Sequence, residues 1–530
     1  MRTGWQRRWE TGAIIAAATI SGLLYAWGFV VDGLWPVLVF FLLPFWWALE
    51  RAVSRSPAFS GGVGFVFGAA AYIAGHLWLF RLVDVFLGGR LGIGVAFWSL
   101  YGSWFAFGFV VYGLIHRGLR RRGVGRVVSS VAPWVVLEWA WPLLFPVHCG
   151  APLVDAGALG QVADLGGPLL LGSLILLANA GFFESAMWLA GRGGRPVRVW
   201  LSVAIAIGFS LGYAEARAVR LSREIESTRG MQVGIVQANL GLLEKRTLAR
   251  VGHRRHLEET RRLLSAGPID LVVWPETAHV RAIRGPLPVS GRLVQQGIGV
   301  PLLFGGSLLD SAGPEPVQSN SALLVGRDGM IRDAYRKNLL IPLAEWIPFL
   351  DRWPVLQSAL PHAQRFSAAS EVPPLRFDDW RISVPICYEA VRPDFVRHMV
   401  NEARPNLLVS LANDAWFGDS SEPWLHLRSA RLRSIEHRLF MVRATNSGIS
   451  AIVDPSGRIL ARTGVAERAV LRGVVHPMAG GTLYARLGDW PGTIALLVIG
   501  AALGSARLSP SSRGHRGSDP LRRSTCRHRG

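Results

Sequence analysis

The stretch ISVPICYEAVRPDF, residues 382–395, is an apolar run typical of a β-strand that stops at Cys387 and continues into a helical pattern. A second strand-like run, LVVWPETA at 271–278, places Glu276 at its end. Side chains at strand ends can be held rigidly, which a catalytic pair requires. The two segments therefore place a thiol and a carboxylate at the ends of strand-like runs, where they are candidates for catalysis.

A third segment adds an amine to this pair. The stretch YRKNLLIPLAEWIPF, residues 335–349, supplies Lys337 and, on a Pro-flanked loop, Glu345. A thiol, a carboxylate and an amine can together attack an acyl carbon. Alone, each has a plainer interpretation: a cysteine after a strand is usually a small buried hydrophobic residue, and a lone lysine or glutamate is usually a solvated surface charge.

The composition indicates a membrane protein. Half of the 530 residues are apolar, 21 are Trp, and the mean hydropathy is +0.30. Most of the eight apolar runs approach the roughly 20 residues that span a bilayer core as a helix. The runs lie at 13–31, 34–49, 60–83, 92–115, 127–147, 168–190, 197–214 and 490–507. We expect acyl transfer by such a chain to use lipid.

We attribute the formal charge of +21 to the orientation of membrane spans rather than to a nucleic-acid partner, since no recognised nucleic-acid-binding motif accompanies it. Arg residues cluster in alternate connecting segments, as the preference of positive residues for the cytoplasmic side predicts. The Arg-rich segments lie near 2–8, 51–55, 117–126 and 192–198, and the segments 32–33 and 148–167 have none. Seven spans then place the block that follows them outside the cytoplasmic membrane.

Four parts follow from these patterns. They are a membrane domain of about seven helices at 1–214, an extracytoplasmic α/β domain at 215–488, a transmembrane helix at 489–508 and a basic, disordered cytoplasmic tail at 509–530. Strand-like runs in the α/β domain alternate with helical patterns near 247–265 and 424–440.

Metal and disulfide chemistry are not expected. The three cysteines, Cys149, Cys387 and Cys526, are too few and too scattered for a disulfide framework or a zinc site. His426 and His437 lie in the Arg-rich helical pattern, where we expect them to be solvated and to form no metal-ligand cluster.

Several motifs occur in one order along the chain. They are WPE at 274–276, Y-x-K-x-x-L-x-P-x-x-E at 335–345, C-Y-E at 387–389, NDAWFGD at 413–419 and RATNSG at 443–448. Together with seven preceding spans and one following span, they resemble the apolipoprotein N-acyltransferase family of the carbon–nitrogen hydrolase (nitrilase) superfamily. The resemblance covers most of residues 10–505 and implies an α-β-β-α sandwich for the extracytoplasmic domain.

The resemblance implies an acyl transfer in two halves. The cysteine takes an acyl chain from a phospholipid, usually phosphatidylethanolamine, as a thioester, and passes it to the α-amino group of a lipoprotein's diacylglyceryl-cysteine. If the family's catalytic roles are assigned to the matching positions of this sequence, Cys387 is the nucleophile, Glu276 is the general base and Lys337 is the cation that stabilises the oxyanion. The N–H of Tyr388 can be a second donor to that oxyanion.

Supporting residues are also implied. Glu345 matches a second active-site glutamate that positions Lys337 or the thiol, and Tyr388 and Glu389 match residues that matter for activity. The aromatic residues Trp416 and Phe417 either contact the acyl chain or belong to the core. The intramembrane residues Glu138, Glu184 and His76 are either functional or structurally paired.

The expected partners are a phospholipid donor, diacylglyceryl-modified apolipoproteins and membrane lipid, with no cofactor and no metal. We expect a monomer in the bacterial inner membrane with its catalytic domain on the periplasmic side. Two departures, FPVHCG at 145–150 and the charged Glu244–Arg246 segment, replace aromatic positions of the family. Two other functions stay open: a membrane-anchored nitrilase-type hydrolase in which water resolves the thioester, and a non-catalytic scaffold that binds lipoproteins.

Overall fold

The computed structural model describes residues 4–86, 91–241, 249–310, 316–342, 344–346 and 366–508. The predicted tail at 509–530, with Cys526, and the segment 244–246 lie outside the described residues. The described chain forms a helical bundle, an α/β domain of two sheets, and a final helix that returns to the bundle.

Eight α-helices form the N-terminal bundle. They are α1 (Gly4–Val30), α2 (Leu43–Ala52), α3 (Pro57–Gly75), α4 (Leu77–Phe86), α5 (Leu91–Arg121), α6 (Arg126–Ala140), α7 (Ala163–Leu189) and α8 (Val197–Glu226). Within the described residues, six segments are long and apolar enough to cross a membrane: Trp5–Val30, Trp35–Ala52, Pro57–Gly75, Leu91–Arg121, Ala151–Leu189 and Val197–Glu226. These correspond to six of the seven predicted N-terminal runs.

The apolar run predicted at 127–147 does not form a helix long enough to cross a membrane. Its helix, α6, ends at Ala140, and residues 141–150 are non-helical. Pro142 and Pro146 explain the early end, because proline lacks the N–H that continues a helix and biases the preceding residue towards extended backbone. The part of this run beyond α6 forms a loop that reaches the catalytic domain.

Glycines let the central helices approach closely. A Cβ on Gly64 of α3 would lie 1.9 Å from the Phe109 carbonyl oxygen of α5, and one on Gly113 would lie 2.5 Å from the Ser60 carbonyl oxygen. Small residues at helix crossings are the usual means of packing helices in lipid, where backbone contact replaces the hydrophobic effect.

The α/β domain contains fourteen strands in the described residues. They are β1 (Met231–Gln237), β2 (Leu271–Val273), β3 (His279–Arg284), β4 (Val289–Ser290), β5 (Leu302–Asp310), β6 (Val317–Val325), β7 (Met330–Arg336), β8 (Leu375–Phe377), β9 (Trp380–Ser383), β10 (Leu407–Ala412), β11 (Met441–Thr445), β12 (Ala451–Val453), β13 (Ile459–Arg462) and β14 (Ala469–Val475). One sheet has the order β14-β1-β2-β5-β6-β7-β4, with β3 paired to β5, and the other has the order β13-β12-β11-β10-β9-β8.

The two sheets pack face to face. In β2, Leu271 and Val273 point into the core shared by the sheets, and Val272 between them points to the outer face. This alternation is expected of strands buried on both sides. The helix α9 (Ala249–Ser265) covers the outer face of the first sheet. The helices α11 (Pro393–Ala403) and α12 (Glu422–His437) cover the second, and the short α10 (Arg292–Gln295) and α13 (Leu483–Leu487) complete the domain. The predicted α-β-β-α sandwich is therefore confirmed.

The helix α12 joins the sandwich to the bundle. Leu427 and Ala430 pack with the core of the α/β domain, whereas Leu432 and Ile435 belong to the core of the bundle. Arg438 at its end donates to Asp164 over 2.8 Å and is 2 % exposed. The final helix α14 (Trp490–Leu508) packs against α6 and α7, and its Trp490 indole donates to the Leu165 carbonyl over 2.8 Å. The α/β domain therefore packs directly on the bundle through α12.

Candidate active site

Cys387 occupies a sharp turn from strand to helix. Ile386 pairs with Leu411 of β10 as an isolated parallel bridge, and a 3₁₀ turn begins at Cys387. The cysteine has a φ of 52°, in the left-handed region that a non-glycine residue occupies only when its surroundings hold it there. Its side chain is nearly buried, and burial followed by the Glu276 charge raises the pKa of the thiol well above its ordinary value, against the opposing effect of Lys337. The resting thiol is therefore neutral.

Lys337 lies between the two predicted glutamates. Its ammonium donates to Glu345 Oε1 over 2.8 Å and to Glu276 Oε1 over 3.4 Å, and the side chain is 1 % exposed. Burial acts to lower the pKa of Lys337, but the Glu345 and Glu276 carboxylates more than offset it, so the pKa is raised and the amine stays charged. The structure thus brings Glu276, Lys337 and Glu345 together as the sequence predicted.

Asn320 belongs to the same cluster and was missed in the sequence. Its Nδ2 donates to Glu276 Oε1 over 2.8 Å and to Glu345 Oε1 over 3.0 Å. It sits on β6, whose backbone runs beside Lys337, and the Lys337 N–H donates to the Asn320 carbonyl over 2.8 Å. A polar residue inside a strand gives no local signal of this role, because Asn320 reaches the two glutamates only through the pairing of β6 with β5 on one side and with β7 on the other.

The two glutamates are held by different means. Glu345 Oε2 also accepts from the Ile341 N–H over 3.0 Å, so both of its oxygens are engaged. Glu276 follows β2, and its backbone lies very close to Gly305 of β5. A Cβ on Gly305 would lie only 2.5 Å from the Glu276 Cα. Glycine at 305 is therefore required for the position of Glu276.

Glu389 links two segments of the site through its hydrogen bonds. It is fully buried and accepts from the Tyr335 hydroxyl over 2.8 Å and from the N–H groups of Asn338, Leu339 and Ile386 over 2.7, 3.0 and 2.8 Å. These bonds connect the segment after Lys337 to the turn that holds Cys387. Burial raises the pKa of Glu389 to about 7, although Lys337 and the backbone N–H groups act to lower it.

Tyr388 and the predicted aromatic pair meet the bundle. The Tyr388 hydroxyl donates to the Leu144 carbonyl in the loop after α6, and its ring lies 5.7 Å from that of Phe145. Phe417 is buried in the bundle core, with its ring 5.6 Å from that of Trp78, and Trp416 packs against the same core. The turn that carries Cys387 therefore packs directly against the membrane domain.

The prediction that His426 and His437 are solvated is wrong. They are 2 % and 0 % exposed, because α12 is covered by the sandwich on one side and by the bundle on the other. His426 Nε2 lies 3.2 Å from the Cys387 carbonyl oxygen, and Nδ1 lies 3.1 Å from Asp414 Oδ1. The other oxygen of Asp414 accepts from Arg443 over 2.9 Å.

The expectation that no metal-ligand cluster forms around these histidines also needs correction. One ligand atom from each of Asp414, Glu422 and His426 lies within 4.8 Å of the others, and all three residues are buried. However, both ring nitrogens of His426 and both oxygens of Asp414 already face protein partners, and only Glu422 Oε2 has none in the described part of the chain. The donor set therefore fits an ion-pair network better than a cation site.

The intramembrane carboxylates are structurally paired. Glu184 accepts two hydrogen bonds from Arg126, both 2.8 Å long. Glu138 Oε1 accepts from the Trp134 indole over 2.8 Å and from the Cys149 N–H over 2.9 Å. Both carboxylates are thus hydrogen-bonded within the bundle, whereas His76 Nδ1 has no hydrogen-bond partner among the described residues.

Comparisons with known proteins identify the family. The model of the apolipoprotein N-acyltransferase N-terminal domain matches residues 21–181, and the carbon-nitrogen hydrolase model matches residues 232–476. A protein of Azotobacter vinelandii named apolipoprotein N-acyltransferase is 30% identical over 95% of this chain and 96% of its own length. The chain belongs to the apolipoprotein N-acyltransferase family.

Other members are similar to the same extent. A protein with that name from Caulobacter vibrioides is 33% identical over 75% of this chain and 77% of its own length. Another, from Geobacter metallireducens, is 29% identical over 93% of this chain and 95% of its own length. The resemblance stated from the motifs is thus confirmed, as is the combination of a membrane domain with a carbon–nitrogen hydrolase domain. The chain is an N-acyltransferase of this superfamily, with lipid and lipoprotein as the substrates that the family name implies.

Proposed function

We propose that this chain transfers an acyl chain from a phospholipid, with phosphatidylethanolamine as the expected donor, to the α-amino group of a diacylglyceryl-modified lipoprotein through a thioester on Cys387. The observation that carries the proposal is the contact of the Cys387 turn with the bundle through Tyr388, beside a buried lysine held by two carboxylates. A hydrolase that uses the membrane only as an anchor needs a single span and no contact between its catalytic cysteine and a helical bundle.

In the first half-reaction, Glu276 takes the proton of the Cys387 thiol, and the sulfur attacks the ester carbonyl of the lipid. A base is needed because burial keeps the thiol protonated. Negative charge develops on the carbonyl oxygen near the Lys337 ammonium, whose charge is fixed in advance by its two carboxylate partners. Collapse breaks the ester C–O bond, and Glu276 returns the proton to the leaving lysophospholipid oxygen.

In the second half-reaction, the neutral α-amino group of the lipoprotein attacks the thioester carbonyl. Glu276 accepts a proton from the amine, the C–S bond breaks, and the proton returns to the sulfur of Cys387. The product is an amide, which is far less reactive than the thioester that formed it, so transfer is effectively one-way. Glu345 takes no part in proton transfer and instead orients Lys337, to which it is bonded over 2.8 Å.

The mass of a co-expressed lipoprotein tests the function. In a host that lacks this activity, the chain is expected to add the mass of one acyl chain to the N-terminal cysteine of the lipoprotein. An unchanged lipoprotein with free fatty acid released would identify a hydrolase. An unchanged lipoprotein retained on the enzyme would identify a scaffold, and either result would contradict the proposal.

We place the catalytic domain on the periplasmic side because it contacts one end of the bundle, whereas the Arg-rich segments lie at the other end. Glu10, near the start of α1, contacts Arg51 and Arg55, whereas the Phe29 carbonyl near the end of α1 accepts from Arg428 of the catalytic domain. Since Arg residues mark the cytoplasmic end, the catalytic end faces outward.

Reporter fusions check this orientation. A phosphatase that is active only outside the cytoplasm is expected to be active when fused after about residue 225 and inactive when fused at residue 520. A fluorescent protein that folds only in the cytoplasm serves as the control at the same two positions and should give the opposite pattern. Phosphatase activity at 520 with none at 225 would contradict the orientation.

A further inference from the structure

A basic cavity lies at the end of the bundle opposite the catalytic domain. Its volume is about 680 Å³, and it is lined by the end of α5, the start of α6, and the segment that joins α7 to α8. Arg120, which lines it, donates two hydrogen bonds to Glu50, and Glu50 precedes Arg51, the partner of Glu10 near the start of α1. The cavity therefore belongs to the Arg-rich end of the bundle, and it shares no lining residue with the cluster around Cys387.

The charge of this cavity is only partly compensated within the protein. Of its four arginines, Arg120 is paired with α2 as above, and Arg126 donates to both oxygens of Glu184 over 2.8 Å. The side chains of Arg195 and Arg198 have no hydrogen bond or ion pair in the described part of the chain. Two positive charges therefore remain in the cavity without a negative partner, which favours an anionic ligand.

Two helix ends add to this charge. The first turns of α6 and α8 line the cavity, and neither helix is capped by the side chain of its preceding residue, Gly125 or Pro196. The N–H groups at the start of a helix lack intrahelical partners and carry a partial positive charge. The arginine side chains and the two helix ends therefore favour the same kind of ligand.

The surface beside the cavity is apolar and exposed. Val197 and Leu201, one turn apart on α8, are 65 % and 59 % exposed, and Leu189 at the end of α7 is 78 % exposed. Both helices belong to segments that are long and apolar enough to cross a membrane, where lipid chains cover such side chains. A ligand with an anionic headgroup and acyl chains fits both the cavity and this surface, whereas a free anion fits the cavity alone.

We propose that this cavity binds the headgroup of one anionic phospholipid, with Arg195 and Arg198 at its phosphate and its acyl chains along α8. Basic pockets between transmembrane helices on the cytoplasmic side bind anionic headgroups in this way. The bound lipid connects the start of α6 to the start of α8. The site is separate from that of the acyl donor, and it does not depend on the chemistry proposed for Cys387.

Native mass spectrometry of the full-length protein measures this binding. The probe is a diether phosphatidylglycerol, which has no ester bond for the enzyme to cleave, and the zwitterionic comparison is a diether phosphatidylethanolamine. The unsubstituted protein should bind the phosphatidylglycerol more tightly. Replacing both arginines, Arg195→Gln and Arg198→Gln, is expected to weaken that binding roughly 30-fold, since each basic group near an anionic lipid contributes about fivefold in affinity. Binding of the phosphatidylethanolamine should not change.

The matched control replaces two other arginines, Arg121→Gln and Arg122→Gln. These residues are exposed at the end of α5 and carry the same charge, but they do not line the cavity. Their loss should leave phosphatidylglycerol binding nearly unchanged. Equal weakening by the two double variants would indicate general attraction to a basic surface and would overturn the inference.

Two measurements on the unsubstituted protein test the ligand class without any substitution. Added salt should weaken phosphatidylglycerol binding and leave phosphatidylethanolamine binding in place, because salt screens exposed charges. Inorganic phosphate at the concentration of the lipid should not displace it. Equal affinity for the two lipids, or displacement by inorganic phosphate, would overturn the assignment of an anionic phospholipid to this cavity.

Discussion

Cys387→Ala is expected to abolish acyl-enzyme formation and to lower the rate of lipoprotein acylation by roughly 10⁴-fold or more, as removal of a covalent nucleophile does in other enzymes. The reason is that Lys337 and the glutamates can polarise an ester but cannot hold the acyl chain between the two half-reactions. Purified enzyme incubated with phospholipid should gain one acyl mass on the peptide that contains Cys387, and the variant should gain none.

Cys149→Ala provides the matched control for this substitution. Cys149 is also a free, buried cysteine, and it lies in the bundle after α6. Its replacement is expected to leave acylation near the native rate. Acyl mass on Cys149 or Cys526, or a Cys387→Ala enzyme that turns over at more than a few per cent of the native rate, would show that the nucleophile is misassigned.

The second large effect separates the two glutamates. Glu276→Gln is expected to lower thioester formation by roughly 10²–10⁴-fold, the range typical of a lost general base, because the amide has the shape of the carboxylate but cannot accept the thiol proton. Glu345→Gln should lower the rate less and leave acyl-enzyme detectable. Its amide oxygen can still accept from Lys337, while the bond to the Ile341 N–H is weakened or lost.

Single-turnover acylation of the two variants measures this difference, with thermal melting to check that both are folded. Asn320→Ala is an informative companion, because it removes the donor shared by both carboxylates without removing either one. If Glu276→Gln acylates at near the native rate and Glu345→Gln does not, then Glu345 is the base, and the proposed roles must be exchanged.

The sequence predicted the parts of the site that are encoded locally. Glu276 and Cys387 each stand at the end of an apolar run, and Lys337 stands in the motif Y-x-K-x-x-L-x-P-x-x-E, so short motifs were sufficient to select them as candidates. Asn320 could not be found in this way, because its position depends on the register of β6 against both neighbours. Asn320 pairs with Ser307 of β5, and Ser321 pairs with Arg336 of β7. The fold was predictable for a similar reason, since strand alternation and apolar runs are themselves periodic signals.

The errors arose where two domains meet. The Arg and His residues of α12 suggested a solvated face, but the bundle supplies partners that the periodicity of one helix cannot reveal. Arg438 finds Asp164, for example, 274 residues away in sequence. Similarly, the run at 127–147 has the hydropathy of a full span, but Pro142 and Pro146 end α6 early, and the residues after it form a loop that contacts Tyr388.

The central claim is that one acyl chain passes through Cys387 on its way from lipid to lipoprotein, and a pulse and chase on the full-length enzyme tests it most directly. The enzyme is first loaded with phospholipid alone, separated from free lipid, and then given a diacylglyceryl-modified peptide. The account predicts that the acyl mass leaves the Cys387 peptide and appears on the α-amino group of the acceptor at equal rates. Acyl mass that stays on Cys387 while fresh phospholipid is needed to modify the acceptor would contradict it.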